Sequence, residues 1–201
     1  MALEKLGLTE YGEFLEQVIQ EGAAQGMRGL ELVEAFETDL ICHANALVAY
    51  GVSHRGLQVG ACALAHDANG TPMLLEGFNF SPYKGARKRC AEIGALAMGL
   101  ERRAVYIPGF WIAAPTDKNL PHDDNLNHHV NGIEASTLHL CFDPCRIALS
   151  GSSLVDNATT TFTTITSATG AIEKHTLSEY GGLYKGIDPP LSSYDISRKA
   201  S

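Results

Sequence analysis

Two N-terminal stretches show the hydrophobic spacing of amphipathic helices. In residues 9–24 and 28–50, apolar side chains recur near the period of an α-helix, and glycines separate the two stretches. His43 lies inside the second apolar pattern, so we expect it to pack in the core or against a partner rather than to serve in a site. The chain is therefore predicted to open with two helices.

Beyond residue 50 the pattern alternates between strands and helices. Apolar or β-branched runs predict strands at 59–65, 73–80, 105–114 with a bend near Pro108, 137–141, 159–166 and 171–176. Helices are predicted from near Cys90 to about Arg103, from Pro144 and at 177–183, turns at 51–58, 67–72 and 167–170, and a long polar loop at 115–135. This order predicts an α/β layered domain around a mixed sheet.

The same pattern gives the predicted domain organisation. We see no internal repeat and no long linker, so residues 1–187 are assigned to one domain. Its N-terminal helices occupy 9–50 and its core occupies 51–187, while residues 188–201 are expected to form a flexible tail.

Composition narrows the class of protein. The 201 residues are 45% apolar and 19% charged, which is typical of an ordinary globular domain with a full core. A net charge of -8 argues against binding to long nucleic acids or membranes, and neither a membrane span nor a secretory signal is recognisable. Five cysteines without such a signal favour a reducing, cytoplasmic setting, in which clustered cysteines bind metal more often than they form disulfides.

The candidate chemistry lies in two cysteine clusters. Cys90-Ala-Glu92 opens an apolar helical stretch, and Cys141-Phe-Asp-Pro-Cys145 follows downstream. Zn²⁺ suits thiolate ligands, and a catalytic site keeps three protein ligands and one position for water. We therefore predict Cys90, Cys141 and Cys145 as ligands of one Zn²⁺, with thiolates near helix starts favoured by the helix dipoles.

A carboxylate beside such a metal can move protons. Glu92 follows Cys90 by two residues, so it could take a proton from the metal's water and deliver it to a substrate nitrogen. Three thiolates, one zinc ion and a non-ligand glutamate form the pattern of the zinc-dependent deaminases, which release ammonia from an amino-substituted ring.

At these blocks the chain resembles the cytidine deaminase superfamily, on the free-nucleoside side, over roughly residues 44–187. The resembling segments are Val59-Gly-Ala, Gly77-Phe-Asn79, Cys90-Ala-Glu92, Cys141 to Cys145-Arg146, and the closing Thr-rich hairpin with its helix. The resemblance implies a three-layer fold with a mixed five-stranded sheet flanked by helices, whose last two strands are antiparallel. It also implies a homo-oligomer, a dimer or a tetramer, and the apolar faces of the 28–50 helix and of the helix after Cys90 are candidates for the contact.

The resemblance assigns roles to further residues. Glu92 would be the proton shuttle, Asn79 a sugar contact, and the Ala91 N–H a donor to the ring carbonyl of a small nucleoside or nucleobase-like substrate such as cytidine. Ser81 stands where the family has a sugar-binding carboxylate, and Leu57 where it usually has a Phe that packs on the base.

The second cysteine cluster departs from the family pattern and leaves alternatives open. Three residues rather than two separate Cys141 from Cys145, and Leu140 rather than Pro precedes Cys141. Pro144-Cys145 could instead be the family's Pro-Cys, but Arg146 follows Cys145 as Arg follows the family's last ligand. The spacing motivates one alternative, a degenerate member that binds a ligand or partner without catalysis. A thiol redox protein using Cys141 and Cys145 is another.

Two further segments carry open predictions. The basic run at 84–89 is read as a solvated loop, or as a phosphate clamp that would make the substrate a nucleotide. The loop at 115–135 is read as a plain polar loop or as a lid over the pocket.

Overall fold

A computed structural model describes residues 7–53, 57–84, 89–115, 129–130, 133–134 and 144–179, and for 129–130, 133–134 and 144–146 the backbone path alone. The helices are α1 (Leu8–Ala24), α2 (Leu30–Leu47), α3 (Ala91–Glu101) and α4 (Pro144–Ser150). The strands are β1 (Val52–Ser53), β2 (Gly60–His66), β3 (Pro72–Phe78), β4 (Phe80–Ser81), β5 (Tyr106–Ala114), β6 (His129–Val130), β7 (Ile133–Glu134), β8 (Thr161–Thr166) and β9 (Ala171–Thr176).

Five strands form the mixed sheet that the resemblance implied. Their order is β3-β2-β5-β8-β9. The β5–β8 pair is parallel, whereas β2–β3, β2–β5 and β8–β9 are antiparallel. The last two strands are therefore antiparallel, as predicted, and Gly170 turns between them with a φ of 71° that favours glycine.

Helices cover both faces of this sheet because its strands alternate their buried side chains. Cys62 and Leu64 point into a core with α1 and α2, together with Trp111 of β5. Ala61 and Ala63 point the other way, into a core with α3. The layers are thus helix, sheet and helix, which confirms the predicted fold class.

The first helix matches its predicted span closely, whereas the second is shorter than predicted. Gly29 has a φ of 51° immediately before α2, and the chain tightens into a 3-10 turn at Val48–Tyr50 after it. The apolar sides of α2 and α3 are buried on the sheet within the chain. The predicted use of these helices as subunit contacts stays a prediction.

The structure differs from the predicted pattern at several short elements. Val52 pairs with Phe80 in a parallel β1–β4 ladder, where the sequence predicted only a turn. The β6–β7 pair lies within the predicted 115–135 loop. The bend predicted near Pro108 corresponds to a register shift of the β2–β5 ladder between Leu64 and His66. The predicted strand at 137–141 lies outside the described residues, as does most of the helix at 177–183.

Among the described residues, no helix combines the length and the apolar character that crossing a bilayer requires.

Candidate active site

Cys90 sits at the N-terminus of α3. It is the N-cap residue, with an extended backbone (φ −80°, ψ 153°), and its carbonyl oxygen accepts the Gly94 N–H at 3.1 Å. Its side chain is half-buried against the core that faces α3. The positive end of the helix dipole stabilises a negatively charged group placed at such a position.

Glu92 lies in the first turn of the same helix. Only 4% of the residue is exposed, so it is not the solvated helix glutamate that the first turn of a surface helix commonly carries. Ala91, the first residue of the helix, is fully buried. An N–H at this position has no acceptor inside its own helix, so it is suited to bind a group outside the helix.

The start of α3 packs directly on the backbone of β3 at Gly77. A Cβ at this position would collide with the Ala91 carbonyl oxygen and lie 2.6 Å from the Ala95 nitrogen. Gly94 faces Gly77 from the helix side. Two glycines therefore let the Cys90-Ala-Glu92 turn lie against the sheet.

A short backbone bridge brings the end of β3 next to Cys90. The Phe80 N–H donates to the Arg89 carbonyl at 2.8 Å, and the Arg89 N–H donates to the Phe80 carbonyl at 3.0 Å. Asn79 and Ser81 flank Phe80, and Ser81 is buried. The structure therefore brings Asn79, Ser81 and the start of α3 into one region of the molecule.

The Asn79 side chain already makes two hydrogen bonds to the backbone. Its Oδ1 accepts the Val59 N–H at 2.8 Å, and its Nδ2 donates to the Leu57 carbonyl at 2.8 Å. These contacts fix residues 57–59 beside the end of β3. An amide has a second lone pair and a second hydrogen, so its role as a sugar contact stays a prediction.

The far side of the predicted metal site is described in part. Cys141 lies outside the described residues, and Cys145 is placed by its backbone at the second position of α4. α4 packs against α3, and its Leu149 is buried in the core on that face. Within the described residues, no group of three metal-ligating side chains is found. The ligand set therefore stays a prediction.

Two other cysteines belong to the opposite, α1–α2 side. Cys62 is fully buried and donates to the Leu40 carbonyl at 3.3 Å, and burial raises the pKa of its thiol well above the usual range. Cys42 is exposed. On the same side, His43 is fully buried with its Nε2 2.7 Å from Glu76 Oε1, which confirms it as a packing residue.

The sequence pattern did not predict the backbone groups that connect the end of β3 to the start of α3 and to residues 57–59. The Arg89 backbone, and the Leu57 and Val59 backbone groups held by Asn79, are main-chain groups without a residue signature. The available signal was an Asn at the end of a predicted strand, where its amide commonly binds nearby backbone.

No protein-family model matches the sequence, and no curated protein sequence is significantly similar to it. Among solved structures, the chain is similar to cytidine deaminase from Burkholderia pseudomallei, with a TM-score of 0.51, 15% identity, and 71% of this chain and 93% of that chain covered. It also matches cytidine deaminase from Mycobacterium leprae (TM-score 0.43, 16% identity, 71% and 94% covered). A variant of the Mycobacterium tuberculosis enzyme matches with a TM-score of 0.46 and 14% identity over 71% and 89%.

The first of these similarities agrees with the sheet order and the three layers described above. At 15% identity it is evidence for a shared fold. The chain therefore has the cytidine deaminase fold.

Proposed function

We propose that this protein is a zinc-dependent hydrolytic deaminase that releases ammonia from an amino-pyrimidine nucleoside such as cytidine, or a modified relative. The observation that carries the proposal is the first turn of α3. There a cysteine caps the helix, a glutamate two residues later is 4% exposed, and both lie beside the end of β3. A thiol ligand and a sheltered carboxylate on one helical turn suit metal-assisted hydrolysis.

The proposed metal ligands are Cys90, Cys141 and Cys145, and the residues present are chemically suited to Zn²⁺. Cys90 sits where the helix dipole favours a thiolate, and Cys145 occupies the second position of a helix that packs against α3. When bound, Zn²⁺ acts as a Lewis acid and lowers the pKa of its water to about 7.

In this proposal Glu92 handles the protons. Its carboxylate accepts a proton from the attacking water and passes it to the ring nitrogen. The water oxygen bonds to the amino-bearing ring carbon, its remaining proton passes to the amino group, and the C–N bond breaks as a C=O bond forms, so that ammonia leaves. Burial suits this role because it keeps bulk water away from the carboxylate during the proton transfers.

Three nearby groups would hold the substrate. The Ala91 N–H, at the first position of α3, would donate to the ring carbonyl. Asn79 would contact the sugar with the amide capacity that its two backbone bonds leave, and Ser81 would lie beside it. A small nucleoside as partner and a homo-oligomeric assembly are part of the same proposal.

The test is ammonia release from a panel of amino-pyrimidines, amino-purines, their nucleosides and their nucleotides. Glu92→Gln should lower the rate with the best substrate by about 10²–10⁴-fold, because the shuttle is lost. Glu101→Gln is the matched control, since Glu101 is exposed at the other end of the same helix, and it should retain wild-type activity. A Glu92→Gln variant as active as wild type would refute the mechanism.

Metal analysis tests the ligand set separately. Wild-type protein should carry about one zinc per chain, as a single tetrahedral site implies. Cys90→Ser should lose most of it, whereas Cys42→Ser, at an exposed cysteine on the other side of the sheet, should not. A wild-type protein without zinc, whose activity zinc does not restore, would favour the non-catalytic alternative. Full activity in Cys90→Ser would favour the thiol redox alternative.

A further inference from the structure

One edge of the sheet is formed by β3. The Asn79 N–H bonds to the Val59 carbonyl at 3.0 Å, and the antiparallel register with β2 continues from that pair. Since hydrogen-bonded pairs recur every second residue, the backbone groups of Pro72, Leu74 and Glu76 point outward, away from β2. An outward row of this kind can pair with a strand of another molecule.

Side chains from two helices occupy these outward groups. From α1, Gln20 Nε2 donates to the Pro72 carbonyl at 3.2 Å, and Glu16 Oε2 accepts the Leu74 N–H at 3.2 Å. From the end of α3, Arg102 Nη1 donates to the Leu74 carbonyl at 2.8 Å. Pro72 has no N–H to satisfy, which suits the first residue of an edge strand.

The two charged side chains also bind each other. Arg102 Nη2 lies 2.5 Å from Glu16 Oε1, and Arg102 Nη1 lies 2.9 Å from Glu16 Oε2. This two-pronged contact joins the helical layers on opposite faces of the sheet, and it passes over the edge of β3 at Leu74. A paired guanidinium and carboxylate hold this geometry better than two separate side chains would.

The strand beneath is suited to pair with itself. Glu76 is the only charged residue of β3, and Met73, Leu74 and Leu75 form an apolar run. Pro72 and Glu76 lie symmetrically about Leu74, so two copies can align antiparallel with Leu74 opposite Leu74. In that alignment each Leu74 would give its N–H and C=O to the other, as a two-fold contact requires.

We propose that Glu16 and Arg102 form a strap over β3, and that this strap prevents the edge from pairing with β3 of a second copy of the chain. Assembly of the native protein then uses other surfaces. This role is independent of the proposed chemistry, since neither residue lies at the start of α3.

The test compares wild type with Glu16→Ala/Arg102→Ala. The matched control is Lys174→Ala. It breaks the 3.0 Å ion pair between Lys174 of β9, at the opposite sheet edge, and Glu37 of α2, a pair in which the lysine bonds to a side chain and not to the strand backbone. Two readings are taken over a range of protein concentrations: the molecular mass by sedimentation, and the exchange rate of the Leu74 amide proton by NMR.

In the double variant we expect the Leu74 amide of dilute protein to exchange at least about tenfold faster than in wild type, because its acceptor is gone. With rising concentration the mass should double relative to wild type, and the Leu74 amide should regain protection. Lys174→Ala should behave as wild type in both readings.

Two outcomes would overturn the proposal. One is a mass equal to that of wild type at every concentration, and the other is association during which the Leu74 amide stays unprotected. If the double variant does not fold, Glu16→Ala carries the same two readings, because it removes both the ion pair and the acceptor of the Leu74 N–H and leaves Arg102 in place.

Discussion

A single absent Cβ sets how closely the candidate site lies on the sheet. At Gly77 there is no room for a methyl group, because the Ala91 carbonyl and the Ala95 nitrogen occupy the space. These are backbone atoms of α3, so they can make room only if the start of the helix moves. Cys90 and Glu92 would move with it.

We therefore expect Gly77→Ala to reduce both activity and stability. The displaced helix should lower the rate of ammonia release by roughly 10²-fold, the usual effect of an ångström-scale misplacement. Overpacking should lower the free energy of unfolding by about 1–3 kcal/mol. Gly7→Ala is the control, since its Cβ would lie 3.8 Å from Glu10 Oε2, an ordinary contact. Wild-type kinetics in Gly77→Ala would show that the position of α3 does not govern the site.

Residue pattern predicted the candidate turn but not what holds it. Cys90 and Glu92 are near in sequence, so local spacing sufficed to place both at a helix start. The bonds from Asn79 to Leu57 and Val59 join residues about twenty positions apart. Such contacts depend on the β2–β3 hairpin and on main-chain groups, which have no residue signature of their own.

At the scale of elements, the segment before β8 is fixed by one carboxylate. Asp156 Oδ1 accepts the Ala158 N–H at 2.8 Å and the Thr159 N–H at 2.9 Å. The hydrogen bond from Ala158, followed by that from Thr159, holds the pKa of this carboxyl below its usual range. The next residue, Thr160, is buried and donates to the Ile107 carbonyl at 2.7 Å, so the turn is tied to β5.

This lowered pKa sets the sign of a pH effect. A carboxylate whose pKa is lower in the folded state contributes stability above its unfolded value of about 3.9, and that stability is lost as pH falls through the folded value. The difference in Tm between wild type and Asp156→Ala should therefore be largest near neutral pH and shrink in acid. Thermal unfolding between neutral pH and the most acidic pH at which both proteins fold measures it. A difference that is constant or that grows in acid would contradict the assignment.

Elements with a long, regular pattern were predictable, and very short ones were not. The β8–β9 hairpin was predicted close to its observed bounds because branched residues and a glycine turn define it locally. The β1–β4 ladder has two residues on each side, which is too short for any periodicity to develop. The two strands meet through tertiary structure, because the Val52 N–H donates at 2.8 Å to the carbonyl of Asn79, the residue after β3.

For the whole molecule, the two cores share one sheet and should unfold together. Trp111 is the only tryptophan of the chain, fully buried on the α1–α2 side, whereas Leu96 is buried on the α3 side. Leu96→Ala should lower the free energy of unfolding by about 2–5 kcal/mol, as a large-to-small core change does. The fluorescence of Trp111 should report that loss from the opposite face.

Leu100 provides the matched control, because it is 58% exposed on the same helix. Leu100→Ala should change the free energy of unfolding by no more than about 0.5 kcal/mol. Denaturant unfolding is followed by fluorescence and by far-UV circular dichroism together. If Leu96→Ala shifts the dichroism transition and leaves the fluorescence transition in place, the two cores are independent units.

The parallel β5–β8 pair is joined by the longest connection between strands of the sheet. The chain leaves β5 at Ala114 and enters β8 at Thr161. The entropy of closing a flexible loop grows only with the logarithm of its length, so even a doubling costs about 0.6 kcal/mol. Closure entropy therefore does not fix the length of this connection; packing does so where α4 contacts α3 and buries Leu149. A one-residue change in the described stretch between Pro144 and Thr161 would move Leu149 relative to α3, so this part of the connection should tolerate such a change least.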